Sequence, residues 1–208
     1  MRNNLSQLIS LSKIEEKLYR PADAYELSRV TRMEHVKTTI VETPQEGIAA
    51  VAARIAQLIN RREANGQKTV LSLASGRSMR DLFVELVRLH KEEGLSFKNV
   101  VVFGSYEFYP LSDTTSGSMA QIQSQLLEHV DILPENVHTF PGDLPKEDVF
   151  AFCEEYEKAI VEAGGIDVQV LGIGQCGNIA MNEPGTQPNS STRLVIMDGN
   201  SRVDVKSL

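Results

Sequence analysis

Short apolar runs that alternate with longer segments of helical period predict an α/β fold, a mainly parallel sheet with helices on both faces. Residues 69–73, 99–103 and 166–173 are such runs, rich in valine, isoleucine and leucine, and 137–140 is a shorter one. Between them, apolar residues recur three and four apart, the period of one helix face. A chain of 208 residues fits one large domain better than two and is long enough to bury most of the surface it exposes when unfolded.

The first helix is clearly marked. Thr43, Pro44 and Glu46 form a start signal: a hydroxyl cap, a proline at the first helical position and an acid three residues after the cap. Ile48, Val51, Ala52, Ile55, Leu58 and Ile59 follow at helical spacing, and Asn65-Gly66 stops the helix. A buried strand over 69–73 and a helix with Leu82, Phe83, Leu86, Val87 and Leu89 on its apolar side come next. The unit repeats with a strand over 99–103 and a helix through Ile122, Leu126 and Leu127. A strand over 137–140, a helix over about 150–160 and a last strand over 166–173 complete the pattern. Residues 1–40 are polar and mixed in charge, and read as an N-terminal helical extension to an α/β domain over 41–208.

Composition narrows the function. The net charge of −7 argues against nucleic acid and against an anionic membrane surface as partners. A small anion is still allowed, because a few backbone N–H groups bind one locally. Cys153 and Cys176 have no metal-ligand spacing, so no metal or organic cofactor is expected, and reduced thiols fit the cytoplasm. No apolar run approaches the ~18 residues of a membrane span, and the first residues lack a signal-peptide core.

In a parallel sheet, ligands bind beyond the carboxyl ends of the strands, which directs attention to three loops. In the first, Ser75-Gly76-Arg77-Ser78, the glycine lets backbone approach an anion at a helix start. Alternatively Ser78 caps that helix, with Asp81 three residues on. In the second, residues 103–111, Tyr106, Phe108 and Tyr109 surround Glu107, which is either a site carboxylate or a solvent-facing side chain of a packed loop. The third, residues 172–185, holds Gly172, Gly174 and Gly177 within six residues, a sign of tight turns or close ligand approach. Glu183 precedes Pro184 and is expected to be extended.

The stretch Leu171-Gly172-Ile173-Gly174 through Asn182-Glu183-Pro184-Gly185 resembles the signature loop of glucosamine-6-phosphate deaminases. The resemblance runs over about residues 40 to 203, including 90–100 and 134–138. It implies a three-layer, modified Rossmann-type sheet and a hexosamine phosphate as small-molecule ligand. It also implies substrate-binding roles for Ser75, Gly76, Arg77, Ser78, Gly174 and Gly177, and leaves homo-oligomerisation open.

The departures fall on chemistry. Where the family usually reads Asn-x-Asp-Glu-Tyr, this chain has Gly104-Ser105-Tyr106-Glu107-Phe108, so Tyr106 stands at the position of the proton-transferring Asp. Where the family usually has Asp-Gly-His, it has Cys176-Gly177-Asn178, and an amide cannot exchange a proton as an imidazole does. Glu183 and Glu107 keep the family's identities. His35, His90, His129 and His138 all lie outside the three loops. Arg193 and Arg202 match family arginines, and Ser207 falls where another is expected. The expectation is a deaminase/isomerase-like protein with weak or absent turnover. The alternatives are a non-catalytic sugar-phosphate binding or regulatory protein and a phosphogluconolactonase-like hydrolase.

Overall fold

The computed structural model describes residues 23–25, 38–174, 177–187, 189–199 and 201–202. The chain divides into two compact units, Met1–Ile40 and Val41–Leu208. Apart from residues 23–25 and 38–40, the helical extension expected over 1–40 lies outside the described residues, as does Ser207.

The second unit begins with helix α1, Pro44–Ala64, whose Thr43 hydroxyl accepts the Glu46 amide at 3.3 Å. The helix ends at Asn65, and Gly66 turns the chain at φ +67°. Strand β1, Thr69–Leu73, is buried throughout and leads into helix α2, Arg77–Glu93. Strand β2, Val100–Gly104, is also fully buried. Helix α3, Ser118–Gln125, follows a long loop, and Leu127–His129 continues it as one 3₁₀ turn. Strand β3, Val137–His138, helix α4, Val149–Glu162, and strand β4, Val168–Val170, complete the unit.

The four strands are parallel, in the order β3-β2-β1-β4. Side chains alternate between the two faces of the sheet, as a pleated strand requires. Leu71, Leu73, Val100 and Val102 pack with Ala52, Ile55 and Ile59 of α1, Leu82, Phe83 and Leu86 of α2, and Ile122 of α3. On the opposite face Val70, Val101 and Phe103 meet Tyr156, Phe152 and Ile160 of α4. Helices therefore cover both faces, and the chain forms the three-layer α/β fold. Among the described residues no helix is long and apolar enough to cross a membrane.

Two strands are shorter than the sequence predicts. The run over 166–173 pairs only through Val170, because its partner β1 ends at Leu73 and turns away at Ala74. The run over 137–140 pairs only through His138, opposite Phe103, and Phe140 instead stacks on Tyr156 with ring centroids 4.1 Å apart.

The strand order reverses at β1, because β2 and β3 are added on one side and β4 on the other. A two-sided clamp sets β4 against β1. The Asp167 amide donates to Val70 O at 2.9 Å, and its carboxylate accepts the Val70 amide at 2.8 Å. Arg62 of α1 pairs with the same carboxylate at 2.9 Å and donates through Nε to Lys68 O at 2.7 Å. Hydrogen bonds to a charged, partly buried group contribute about 1.5–3 kcal/mol. Asp167→Ala should therefore lower unfolding free energy by about 2 kcal/mol, read from the midpoint of a urea transition at constant slope.

Candidate functional site

At the strand reversal, the loops leaving β1 and β4 splay apart and leave a crevice at the carboxyl edge of the sheet. A cavity of about 260 Å³ lies there, lined by Ala74–Ser78, Tyr106, Gly172–Gly174, Asn178, Ala180, Met181 and Ser201. The three loops singled out from the sequence thus meet in one place.

In the first loop the chain turns into α2 through Gly76, at φ +122° and ψ 177°, a region essentially reserved for glycine. Gly76 is the N-cap and offers no side chain to the first turn; its carbonyl accepts the amides of Met79 and Arg80 at 3.1 and 3.2 Å. Ser78 is therefore not the cap but lies inside the first helical turn, because the helix begins one residue earlier, at Arg77. Ser75, Arg77 and Ser78 all line the cavity, at the end of a 17-residue helix whose dipole favours an anion.

Tyr106 reaches across from the second loop. Its hydroxyl lies 2.9 Å from Ser75 Oγ and donates to Ser75 O at 3.1 Å. Burial pushes the phenol above its usual range, and the charge of Glu107 adds to the shift, against the hydrogen bonds with Ser75. The Tyr106 ring meets Phe108 edge-on at 5.7 Å.

Glu107 points elsewhere. Its carboxylate accepts the amides of Phe108, Ser118 and Met119 at 2.8, 2.7 and 2.9 Å, so it caps α3 rather than facing solvent or lining the cavity. Gly117 makes this possible, since a Cβ there would lie 2.7 Å from the carboxylate.

The third loop folds back on itself. Gly174 N donates to Asn178 O at 2.8 Å, and Gly177, at φ +78°, donates to Gly174 O at 2.9 Å. The Asn178 side chain is only 7% exposed and lies against Gly174, where an added Cβ would run into Oδ1. Asn178 Nδ2 lies 3.7 Å from Met181 Sδ. Ile179 and Asn182 exchange backbone hydrogen bonds of 3.0 and 2.9 Å around Ala180 at φ +46° and Met181 at φ +64°. That is a two-residue hairpin of the kind that favours Asn-Gly, here built from two residues with side chains. Glu183 lies just beyond, outside the lining, and its Oε1 accepts the Asp198 amide at 3.1 Å. Gly177 is also outside the lining, and Cys176 lies outside the described residues.

Sequence reasoning missed Ser201. It is 2% exposed and lines the cavity, and its Oγ has no hydrogen-bond partner. Nothing in the local sequence marks it, because its position depends on where the segment after residue 189 returns to the sheet edge, and Ser201 sits in a short helical turn at the end of that segment. Two of the histidines outside the loops make contacts elsewhere: His138 stacks on Phe103 at 4.2 Å and its pKa is pushed down by burial and then by Lys68, while His90 Nδ1 lies 2.6 Å from Leu95 O. Among the described residues, no group of three or more His, Cys, Asp or Glu side chains could hold a metal ion.

Comparison with known proteins adds family context. A model of glucosamine-6-phosphate isomerases/6-phosphogluconolactonase matches residues 42–203. A glucosamine-6-phosphate deaminase-like protein of Bacteroides thetaiotaomicron is 44% identical over all of this chain and 32% of its own length. A glucosamine-6-phosphate deaminase of Porphyromonas gingivalis is 41% identical over 60% of this chain and 47% of its own length. The chain thus spans about a third to a half of these curated relatives. The solved structure of a monomeric glucosamine-6-phosphate deaminase superposes with a TM-score of 0.74 at 30% identity, covering 83% of this chain and 70% of that one.

Two substitutions separate support from strain. Glu107→Ala strips α3 of its cap and should cost about 2 kcal/mol in thermal or urea unfolding. Met181→Gly removes a side chain from a left-handed position and should stabilise the chain by about 1 kcal/mol in the same assay.

Proposed function

Because the chain belongs to the family of glucosamine-6-phosphate isomerases and 6-phosphogluconolactonases, we propose that it binds a sugar phosphate in this cavity and deaminates glucosamine 6-phosphate weakly or not at all. One observation carries the reading: the cavity presents Tyr106 and Asn178 where the resemblance expects an Asp and a His. A general base works best with a pKa near the operating pH. The Tyr106 phenol starts near 10 and is raised by burial, so it keeps its proton at neutral pH. Asn178 cannot give up and take back a proton near neutral pH as an imidazole does. Each missing acid or base typically lowers the rate by ~10²–10⁴.

Binding does not need those groups. The start of α2, with Arg77 and the hydroxyls of Ser75 and Ser78, suits a phosphate. Glu183 keeps the identity the resemblance expects, and its contact with the Asp198 amide makes it a positioning group for the returning segment. A cytoplasmic location belongs to the same reading, supported by the free thiol of Cys153.

Calorimetric titration with a sugar phosphate, run beside ammonia release from glucosamine 6-phosphate, tests this. We expect heat of binding, and turnover at least ~10²-fold below that of a relative with the usual Asp and His. Turnover near that relative's rate, abolished by Glu183→Gln, would overturn the proposal in favour of an active deaminase with an unconventional base. Binding of no sugar phosphate would overturn it as well.

A further inference from the structure

Resting on the sugar-phosphate reading above, we propose that Tyr106 is a positioning residue for the ligand: it acts through Ser75, holding the first loop in its binding shape and orienting the Ser75 hydroxyl. The first loop needs such a hold. It leaves β1 at Leu73 and enters α2 at Arg77 through Gly76, at φ +122°. Glycine permits that turn but does not stiffen it. A serine or aspartate at the cap would tie the loop to the first helical amides, and Gly76 has no side chain to do so. Ser75 is held from across the cavity instead. The Tyr106 hydroxyl donates to Ser75 O at 3.1 Å and lies 2.9 Å from Ser75 Oγ, so one phenol meets both the backbone and the side chain of the same loop residue.

Tyr106 can serve as a strut because its own place is set by other elements. Ser105, just before it, donates its amide to Leu73 O at 2.8 Å and pairs its hydroxyl with Ser72 at 2.9 Å. Glu107, just after it, is held by the amides of Ser118 and Met119 at the start of α3. The ring itself packs against the main core and meets Phe108 edge-on. The phenol therefore carries the rigidity of the β2 end and of α3 to the loop that enters α2. A loop held in advance in this way loses less conformational freedom when a ligand arrives, and that saving appears as affinity.

The count of protons gives the link its second part. A phenol has one proton to donate and can also accept, and so has a serine hydroxyl. With the phenol proton on Ser75 O, the serine proton can be given to the phenol oxygen. With the phenol proton on Ser75 Oγ, the serine proton is released to point at an acceptor in the cavity that Ser75 and Tyr106 both line. A phosphate oxygen is such an acceptor. The pair is thus satisfied in either state, and Tyr106 keeps Ser75 aimed in both.

The test is calorimetric titration of the full chain with glucosamine 6-phosphate, with inorganic phosphate as its competitor, for Tyr106→Phe, Ser75→Ala and the double substitution. Tyr106→Phe keeps the ring and removes only the hydroxyl, and should weaken glucosamine 6-phosphate about tenfold. Ser75→Ala should weaken it by a similar factor, and the double substitution by little more than the larger single loss, because one residue acts through the other. Inorganic phosphate should weaken by about the same factor in Tyr106→Phe, since the phenol holds the loop that receives the anion. Losses that multiply in the double substitution overturn the proposal, because the ligand would then meet the two hydroxyls independently. Unchanged affinity in Tyr106→Phe also overturns it and leaves the sugar-phosphate reading standing. Inorganic phosphate that fails to compete, or competes with Tyr106→Phe as it does with the unmodified chain, overturns it in the same way. Failure of the unmodified chain to bind glucosamine 6-phosphate removes this inference outright, whatever the variants do.

Discussion

The rung between Val70 and Asp167 governs what lies at the other end of the sheet. Asp167 meets Val70 twice, through its own amide and through its carboxylate, and Arg62 holds the carboxylate from α1. Strand pairing has a period of two, so a slip of one residue would turn the side chains of β4 to the wrong face. With this end pinned, Leu71 pairs with Val168 and Leu73 with Val170. The chain then leaves β4 beside the point where β1 turns into Ser75 and Gly76. The third loop therefore faces the first because a carboxylate some three rungs away has set the register.

A second constraint acts on the other flank. Tyr156 of α4 donates to Gly104 O at 3.0 Å and lies 3.3 Å from His138 O, so one phenol ties together the ends of β2 and β3. Its ring packs on Phe140 and meets Phe103 edge-on at 5.5 Å. From that fixed end the chain passes through Ser105, whose Oγ lies 2.9 Å from Ser72 Oγ and whose amide donates to Leu73 O at 2.8 Å. Tyr106 is the next residue, and Glu107 after it is held by the start of α3. The phenol that lines the cavity is thus fixed from both sides along the chain.

Much of this was legible in the residues. The cap at Thr43, the buried run of β1 and the apolar stripe of α2 are local patterns, and local patterns survive folding when tertiary packing agrees with them. The strand ends were not legible, since a strand stops where its partner stops and β1 ends at Leu73. Neither sequence reading of Glu107, site carboxylate or solvent-facing side chain, includes its cap of α3, because Ser118 and Met119 lie more than ten residues away. Capping preferences favour serine at Ser78, whereas the backbone at Gly76 needs a glycine and takes the cap position. Ser201 carried no signal at all, for its role depends only on where the returning segment passes.

The hairpin at Ala180 and Met181 bears on why the third loop keeps its shape. Left-handed backbone at a residue with a side chain costs about 1–2 kcal/mol, and here two such residues are consecutive. Such a turn persists only when its surroundings over-determine it. The Ile179–Asn182 hydrogen bonds do so from inside the hairpin, and Asn178, buried against Gly174 and in contact with Met181, does so from the cavity side. Asn178 is therefore a scaffold for the loop as well as part of the lining. An imidazole at this position would have to be accommodated against Gly174 and Met181 before it could move a proton. On this argument, placing a histidine at position 178 is not enough to give proton transfer, because the loop is packed around the amide.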